Sequence, residues 1–239
     1  MQKWAICKVV ERKVKRMNRL EKFGIVPECS FLEGMNACLI STVPQGFYDK
    51  VEEGSIILKR CSTFHFCKEG VLLNNNDSES PSLINNDLVI FATGFKGDQK
   101  LKHIFSSPKF QDYIMAPQSD TLVPLYRECI HPRIPQLAII GFSDSLSNLY
   151  SSELKCRWLA ELFGRKFMLP SIQDMEKDVS TIDNVTRKNS NHDSKTCIGA
   201  LHIWHNDQLC IDMGWNPKRK NGFWADWFEP YGPMDYTHP

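Results

Sequence analysis

The chain has 239 residues, of which 42% are hydrophobic and 24% charged, with 29 Lys and Arg against 28 Asp and Glu. A net charge of +1 excludes a polyanion-coating protein, and the composition is that of a globular chain with apolar residues enough for a sizeable core. No run of about 18 apolar residues occurs, and residues 1–6 lack the basic-then-apolar order of a signal peptide. The expected location is therefore cytoplasmic, with no transmembrane segment. Nine cysteines form no Cys-x-x-Cys pair, so the thiols read as small apolar residues in a reducing setting rather than as a disulfide framework. The sequons at Asn76 and Asn184 are not expected to carry glycan.

In chain order, residues 1–22 hold eight Lys and Arg against Glu11 and Glu21. Trp4, Cys7, Val10, Val14 and Met17 recur at three and four, which predicts an amphipathic helix. A basic helix of this kind lies on a membrane or a nucleic-acid backbone, or packs on its own protein with a solvated basic face, the reading preferred. Beyond Pro27, short apolar runs predict strands at 55–60, 63–66 and 71–73, the last two as part of an antiparallel group. Residues 74–86, rich in Asn, Asp and Ser, read as a loop tip. Residues 87–94 and 137–141 are uninterrupted apolar runs ended by small residues, the pattern of strands buried on both faces of a parallel sheet. A helix is predicted after an N-cap at Ser151 or Ser152, carrying Leu154, Trp158 and Leu162 and stopping at Gly164. Further helices are expected over 172–182 and 197–213, before an aromatic tail containing Phe223, Trp224, Trp227, Phe228 and Tyr231.

Chemistry-bearing residues concentrate at the ends of the two apolar runs. Thr93 and Gly94 close the first, where ligands approach the carboxyl ends of parallel strands; the same pair is also a common way to leave a sheet. After the second, residues 141–148 lead into a helix whose N-terminal amides attract anions. There Asp144 or Asn148 bonds a ribityl or ribose hydroxyl, or Asp144 or Ser145 merely caps the turn. His202 and His205, with Cys197 and Cys210 nearby, offer a weak zinc set. Cys61, His65 and Cys67 offer a weak Cys-His nucleophile on one strand face. His131, set beside Pro132, reads as structural rather than as a general base. No catalytic residue and no metal site is assigned.

Residues 91–95, Phe-Ala-Thr-Gly-Phe, resemble the Phe-Ala-Thr-Gly-Tyr signature of flavin-containing monooxygenases. The blocks around them are similar to the plant-type branch. They are Lys3-Trp4-Ala5-Ile6, Leu20-Glu21-Lys22-Phe23-Gly24-Ile25, Val123-Pro124-Leu125-Tyr126-Arg127 and Ile130-His131-Pro132-Arg133-Ile134-Pro135. Ser151-Ser152-Glu153-Leu154, Arg157-Trp158-Leu159, Asn216-Pro217-Lys218-Arg219-Lys220 and Pro230-Tyr231-Gly232 continue the match in order over most of the chain.

The resemblance implies an α/β fold with FAD in one dinucleotide-binding domain and NADPH in a second. It implies NADPH-dependent oxygenation of soft nucleophilic nitrogen or sulfur through a C4a-hydroperoxyflavin, the hard chemistry belonging to the flavin. Thr93, Gly94, Asp144 and Asn148 are then the candidate cofactor contacts. Both nucleotide domains of the family open on Gly-x-Gly-x-x-Gly, yet no two of the 13 glycines here stand two apart. The family's Phe-x-Gly-x-x-x-His block is also missing. The expectation is thus an incomplete two-dinucleotide-binding-domain flavoprotein of Rossmann type with C-terminal helices. Residues 1–92 would close the NADPH-binding domain, and 93–239 the FAD-binding domain with its helical tail. Such a chain is expected to be inactive alone. The alternative is a non-catalytic remnant that docks on a missing N-terminal half or a paralogue. Partners are a small nucleophilic substrate and no nucleic acid.

Overall fold

The computed structural model describes residues 2–39, 43–74, 81–93, 101, 103–115, 123–189, 197–199 and 201–237. Helices and short strands are mixed along these residues, as an α/β reading requires. The chain divides into two compact units, one of Met1–Glu11, Glu28–Ser41 and Lys96–Pro239, the other of Arg12–Pro27 and Thr42–Phe95. The division falls inside the first helix, α1 (Gln2–Met17). Its predicted apolar stripe is half-buried at Cys7, Val10 and Val14, while Met17 is exposed.

In the larger unit, α2 (Phe31–Asn36) starts at a capping box: Glu33 N donates to Ser30 Oγ at 3.3 Å and Ser30 N to Glu33 Oε2 at 2.8 Å. Helix α4 spans Pro108–Met115. Strands β4 (Ile130–His131) and β5 (Ile134–Ala138) form an antiparallel hairpin. The strand expected over 137–141 is therefore the end of a hairpin and not a parallel strand. Pro132 and Arg133 turn the chain back at once, and Ile139 N extends the pairing to Cys129 O at 2.8 Å. Strand β6 (Asp144–Ser145) pairs in parallel with β7 (Cys197–Gly199).

Three longer helices follow: α5 (Asn148–Phe163), α6 (Ile172–Asn189) and α7 (His202–Asp212). Helix α5 begins four or five residues earlier than predicted, at N-cap Ser147, and ends at Gly164 as expected. The predicted helix over 197–213 begins as β7 and becomes helical at His202. Buried positions recur at helical spacing, Ser151, Leu154, Lys155 and Trp158 on α5 and Met175, Val179 and Ile182 on α6. Of these, Leu154, Met175 and Val179 join Leu209 and Cys210 of α7 and Tyr126, Cys129 and Ile130 of the hairpin region in one core around Trp158, which is 0% exposed. Helix α8 (Phe223–Phe228) and a 3-10 turn (Pro233–Tyr236) complete the described chain, with Tyr236 buried and stacked on Tyr150.

The second unit contains α3 (Phe47–Glu52) and an antiparallel sheet of β1 (Thr63–Cys67), β2 (Gly70–Asn74) and β3 (Ser82–Ile84), in that order. β1 and β2 were legible as a pair; β3 falls inside the predicted loop tip. Residues 55–60 form no strand. The larger correction concerns the first apolar run, whose residues 87–93 form no strand and lie exposed, Leu88 by 75% and Ile90 by 80%. A strand buried on both faces needs neighbours on both edges and cover on both sides. Among the described residues none hydrogen-bonds to this segment's backbone.

Candidate functional site

The turn between β6 and α5 is where the chain comes nearest to a ligand-binding arrangement. Gly141 enters it at φ 74°, a left-handed conformation that a side chain resists. Asn148 Oδ1 accepts from Ser145 N at 2.6 Å and from Ser145 Oγ at 3.1 Å, while Ser147 N donates to Ser145 Oγ at 3.2 Å. Asn148 thus holds its own turn through its oxygen. Ser147 makes no side-chain cap to the helix, so among the described residues the first amides of α5 are left open, and the helix dipole adds positive potential there. Asp144 is exposed, and among the described residues nothing hydrogen-bonds its carboxylate.

Behind this turn lies a layer of buried polar groups. Ser143 Oγ donates to Glu128. Burial raises the Glu128 carboxyl above its ordinary range, against the pull of Ser143 and the Lys155 charge. Lys155, on a residue 2% exposed, is lowered by burial and partly restored by Glu128. On α7, His205 is held well below its ordinary value by burial first, then by the charges of Lys155 and Arg127. Among the described residues, its Nε2 and both amide atoms of Asn206 find no hydrogen-bond partner.

Arg127 is the hub that ties the helices together. Its Nε and Nη2 donate to Asp212 at 2.8 and 3.0 Å, and Nη1 reaches Asp178 at 3.3 Å. Asp212 also accepts from Trp158 Nε1 at 3.1 Å. One turn residue, α5, α6 and α7 are thereby joined by charge-assisted bonds.

Of the candidate contacts, Asp144 and Asn148 share one turn. Thr93 belongs to the other unit, where it is exposed and outside regular structure; Gly94 lies outside the described residues. His131 is neutral and fully used: Nε2 donates to Tyr113 O at 3.0 Å, Nδ1 accepts from Arg133 N at 3.1 Å, and burial lowers its affinity for a further proton. His202 and His205 do share α7, but Cys197 is bonded to Cys38 and is no thiolate. Among the described residues no group of three or more His, Cys, Asp or Glu stands ready for a metal ion. Cys61 precedes β1, and only His65 and Cys67 of that trio lie on it.

Two features were not anticipated. The Cys38–Cys197 disulfide clips the turn after α2 to β7 across a sequence separation of 159. A bond of that span leaves no spacing pattern. It does have a local counterpart: a Cβ on Gly199 would meet Met35 O at 2.8 Å, so β7 lies against the backbone of α2. The Arg127–Asp212 pair was equally hidden, although the helical phase of Trp158 pointed to the core that it borders.

The sequence profile of the flavin-binding monooxygenase-like family matches residues 3–226. Among curated proteins, the chain is 37% identical over 231 residues to probable flavin-containing monooxygenase 1 of Arabidopsis thaliana, covering 97% of this chain and 42% of that protein. It is 36% identical over 212 residues to putative flavin-containing monooxygenase 2 of the same plant, covering 89% and 44%. A more distant relative is the rat dimethylaniline monooxygenase [N-oxide-forming] 2, 22% identical over 212 residues, 87% of this chain and 36% of that protein. The chain thus spans less than half the length of the relatives that it matches.

Proposed function

This chain belongs to the flavin-binding monooxygenase-like family, and we propose from that premise that it is the FAD-domain-closing part of an NADPH-dependent monooxygenase acting on soft nitrogen or sulfur nucleophiles. When bound, FAD supplies the oxygen chemistry in such an enzyme. The residues present fit one end of that cofactor. The open amides of α5 and the free Asp144 carboxylate offer a helix terminus and a hydroxyl acceptor, with Asn148 Nδ2 beside them. They do not fit the pyrophosphate, because no Gly-x-Gly occurs in the 239 residues to let backbone amides surround it.

We assign residues 93–239 to the FAD-binding domain of a Rossmann-type fold and 1–92 to the NADPH-binding one. The end of the second compact unit at Phe95 favours a boundary there, while residues 1–11 and 28–41 group with the larger unit. The observation that carries the reading is the family match over 3–226 combined with the missing glycine fingerprint. By itself the chain binds FAD negligibly and turns nothing over. Purified protein mixed with FAD and desalted should show no stoichiometric flavin absorption and no NADPH consumption with an amine or thioether; a yellow, stoichiometric complex overturns this.

A second reading, a non-catalytic module that docks on another protein, is favoured by α8. Phe223, Trp224, Trp227 and Phe228 are 63–73% exposed on six residues.

A further inference from the structure

The Cys38–Cys197 disulfide joins two segments of the larger unit, while the other seven cysteines stand as thiols, Cys156 exposed and Cys7, Cys29, Cys61 and Cys67 half-buried. One disulfide among surface-reaching thiols is the pattern of a redox-responsive pair, not of a framework. The two ends of the bond differ in reach. Cys197 is 5% exposed on β7, whereas Cys38 is half-buried in the turn after α2, next to an exposed Leu39. Cys38 also sits at φ 53°, a left-handed conformation that a side chain resists. Each sulfur has a carbonyl beside it: Cys38 Sγ lies 3.3 Å from Asp144 O, and Cys197 Sγ 3.2 Å from Asn36 O. A disulfide sulfur has no hydrogen to give those oxygens, and a thiol has one. Acceptors for the reduced state are thus already in place. Asp144 is moreover the register partner of Cys197 in the parallel β6–β7 pair, so the bond is fastened to the strand that leads into the Asp144–Asn148 turn. Neither cysteine belongs to the core around Trp158.

We propose that Cys38–Cys197 is a thiol–disulfide switch: a dithiol opens it at the Cys38 sulfur, and opening loosens β6, and with it the Asp144–Asn148 turn, from β7. A thiolate of the dithiol attacks Cys38 Sγ, the S–S bond breaks, and Cys197 leaves with the electron pair and takes a proton from water. The second thiol of the reductant then displaces Cys38, which is protonated in turn. The products are a cyclic disulfide and two protein thiols, two electrons having passed to the protein; the cyclic disulfide, acting in reverse, restores the bond. Two thiol sulfurs cannot stay at bonding distance, so they part. β7 cannot yield towards α2, because a Cβ on Gly199 would already meet Met35 O at 2.8 Å and Asn36 Cα at 2.9 Å. It yields away from α2, while Cys38, no longer tethered, leaves its left-handed conformation. The ladder that feels this shift is short, since β6 contributes only Asp144 and Ser145. The core lies apart and stays closed. The switch acts on the turn itself and needs no flavin.

The test is to equilibrate the whole chain, without denaturant, in graded ratios of dithiothreitol to its cyclic disulfide, and to trap thiols by alkylation for peptide mass spectrometry. The expected result is that Cys38 and Cys197 pass together from unlabelled to labelled as the ratio rises, while Cys156 is labelled throughout. In the reduced protein, amides of 144–145 and 198–199 should exchange at least about tenfold faster and slow again on re-oxidation, with near-ultraviolet circular dichroism unchanged. Cys38→Ser should exchange at the reduced rate at every ratio, and Cys156→Ser, at an exposed thiol elsewhere, should follow the wild type. Should Cys38→Ser fail to fold, the wild type in its two states makes the same comparison. A bond that yields only in denaturant is a static staple and overturns the proposal. So does loss of the near-ultraviolet signal on reduction, equal exchange at 144–145 in both states, or labelling of Cys38 and Cys197 in the fully oxidised mixture. No readout involves flavin, so the switch and the flavin reading stand or fall separately.

Discussion

The core around Trp158 and the apolar run at 87–93 read alike as buried in the sequence, yet the structure closes one and leaves the other open. Trp158 and Cys129 are 0% exposed and Leu154 is 1%, whereas Leu88 and Ile90 keep 75% and 80% of their surface. The difference lies in what each element needs from outside itself. A helix bonds its own backbone and asks only for cover on one stripe, which α5, α6, α7 and the β4–β5 hairpin give one another. A central strand asks for a neighbour on each edge before its side chains count for anything. Among the described residues the helical region closes on itself, and the run at 87–93 does not.

The largest break in that contrast is expected from Asp212→Ala. The substitution removes both Asp212 bonds to Arg127 and the acceptor of Trp158 Nε1, leaving a cation 7% exposed with only Asp178. Breaking a buried pair from one side costs about 3–5 kcal/mol. Urea unfolding followed by tryptophan fluorescence should show it. A loss under about 1 kcal/mol would mean that the hub does not hold the helices.

Next in size is the disulfide. Cys38→Ser, or reduction by a dithiol, releases the clip between β7 and the turn after α2. The cost should be about 2–4 kcal/mol, since a long loop is freed in the unfolded chain. Because β7 is the parallel partner of β6, amides at 144–145 should exchange faster in the variant. Unchanged thermal stability with and without reductant would count against the bond.

What the sequence made legible follows the same division. The phases of α1, α5 and α6 could be read because each carries its instruction locally, in apolar spacing such as Leu154, Trp158 and Leu162. β1 and β2 could be paired because two short apolar runs, 63–66 and 71–73, follow each other closely in the chain. The failures at 87–94 and 137–141 have a common cause: a continuous apolar run says that a strand wants burial and not who supplies it. In the second case Pro132 and Pro135 bracket a turn, and the run that follows pairs back on β4 as a hairpin. At the candidate site, Asp144 and Asn148 flank one turn, and the Asn148 oxygen that a ligand would use is already bonded to Ser145. Local side-chain-to-backbone bonds of this kind compete for the residues that binding would use.

A smaller effect should come from pH. His205 has a folded pKa well below its unfolded value of about 6.5, because burial and the charges of Lys155 and Arg127 disfavour its protonated form. The unfolded chain then binds the extra proton, so stability is full above about pH 6.5 and falls as pH drops below it. Asp207 works in the opposite sense. Burial raises its carboxyl to about 6, so the folded state takes up its proton first and stability gains as pH falls through that value. A wild-type curve alone mixes the two. The difference between wild type and His205→Gln cancels Asp207, and should move against the wild type by up to about 1.4 kcal/mol per pH unit below 6.5. Parallel curves would show that His205 protonates freely in the folded chain.

The smallest expected effect is the sharpest discriminator. Leu88→Ser sits in a segment whose sequence reads as core, and a true core leucine cut to serine would cost several kcal/mol through lost burial and an unpaired hydroxyl. At 75% exposure there is little burial to lose, and the serine hydroxyl stays in water. The change in unfolding free energy should therefore lie within about 0.5 kcal/mol. Solubility should rise, because an uncharged run of strand-favouring residues at a surface is a template for pairing with itself. A loss above about 2 kcal/mol would place Leu88 in a packed interior, and the contrast with Trp158 would then be one of degree rather than of kind.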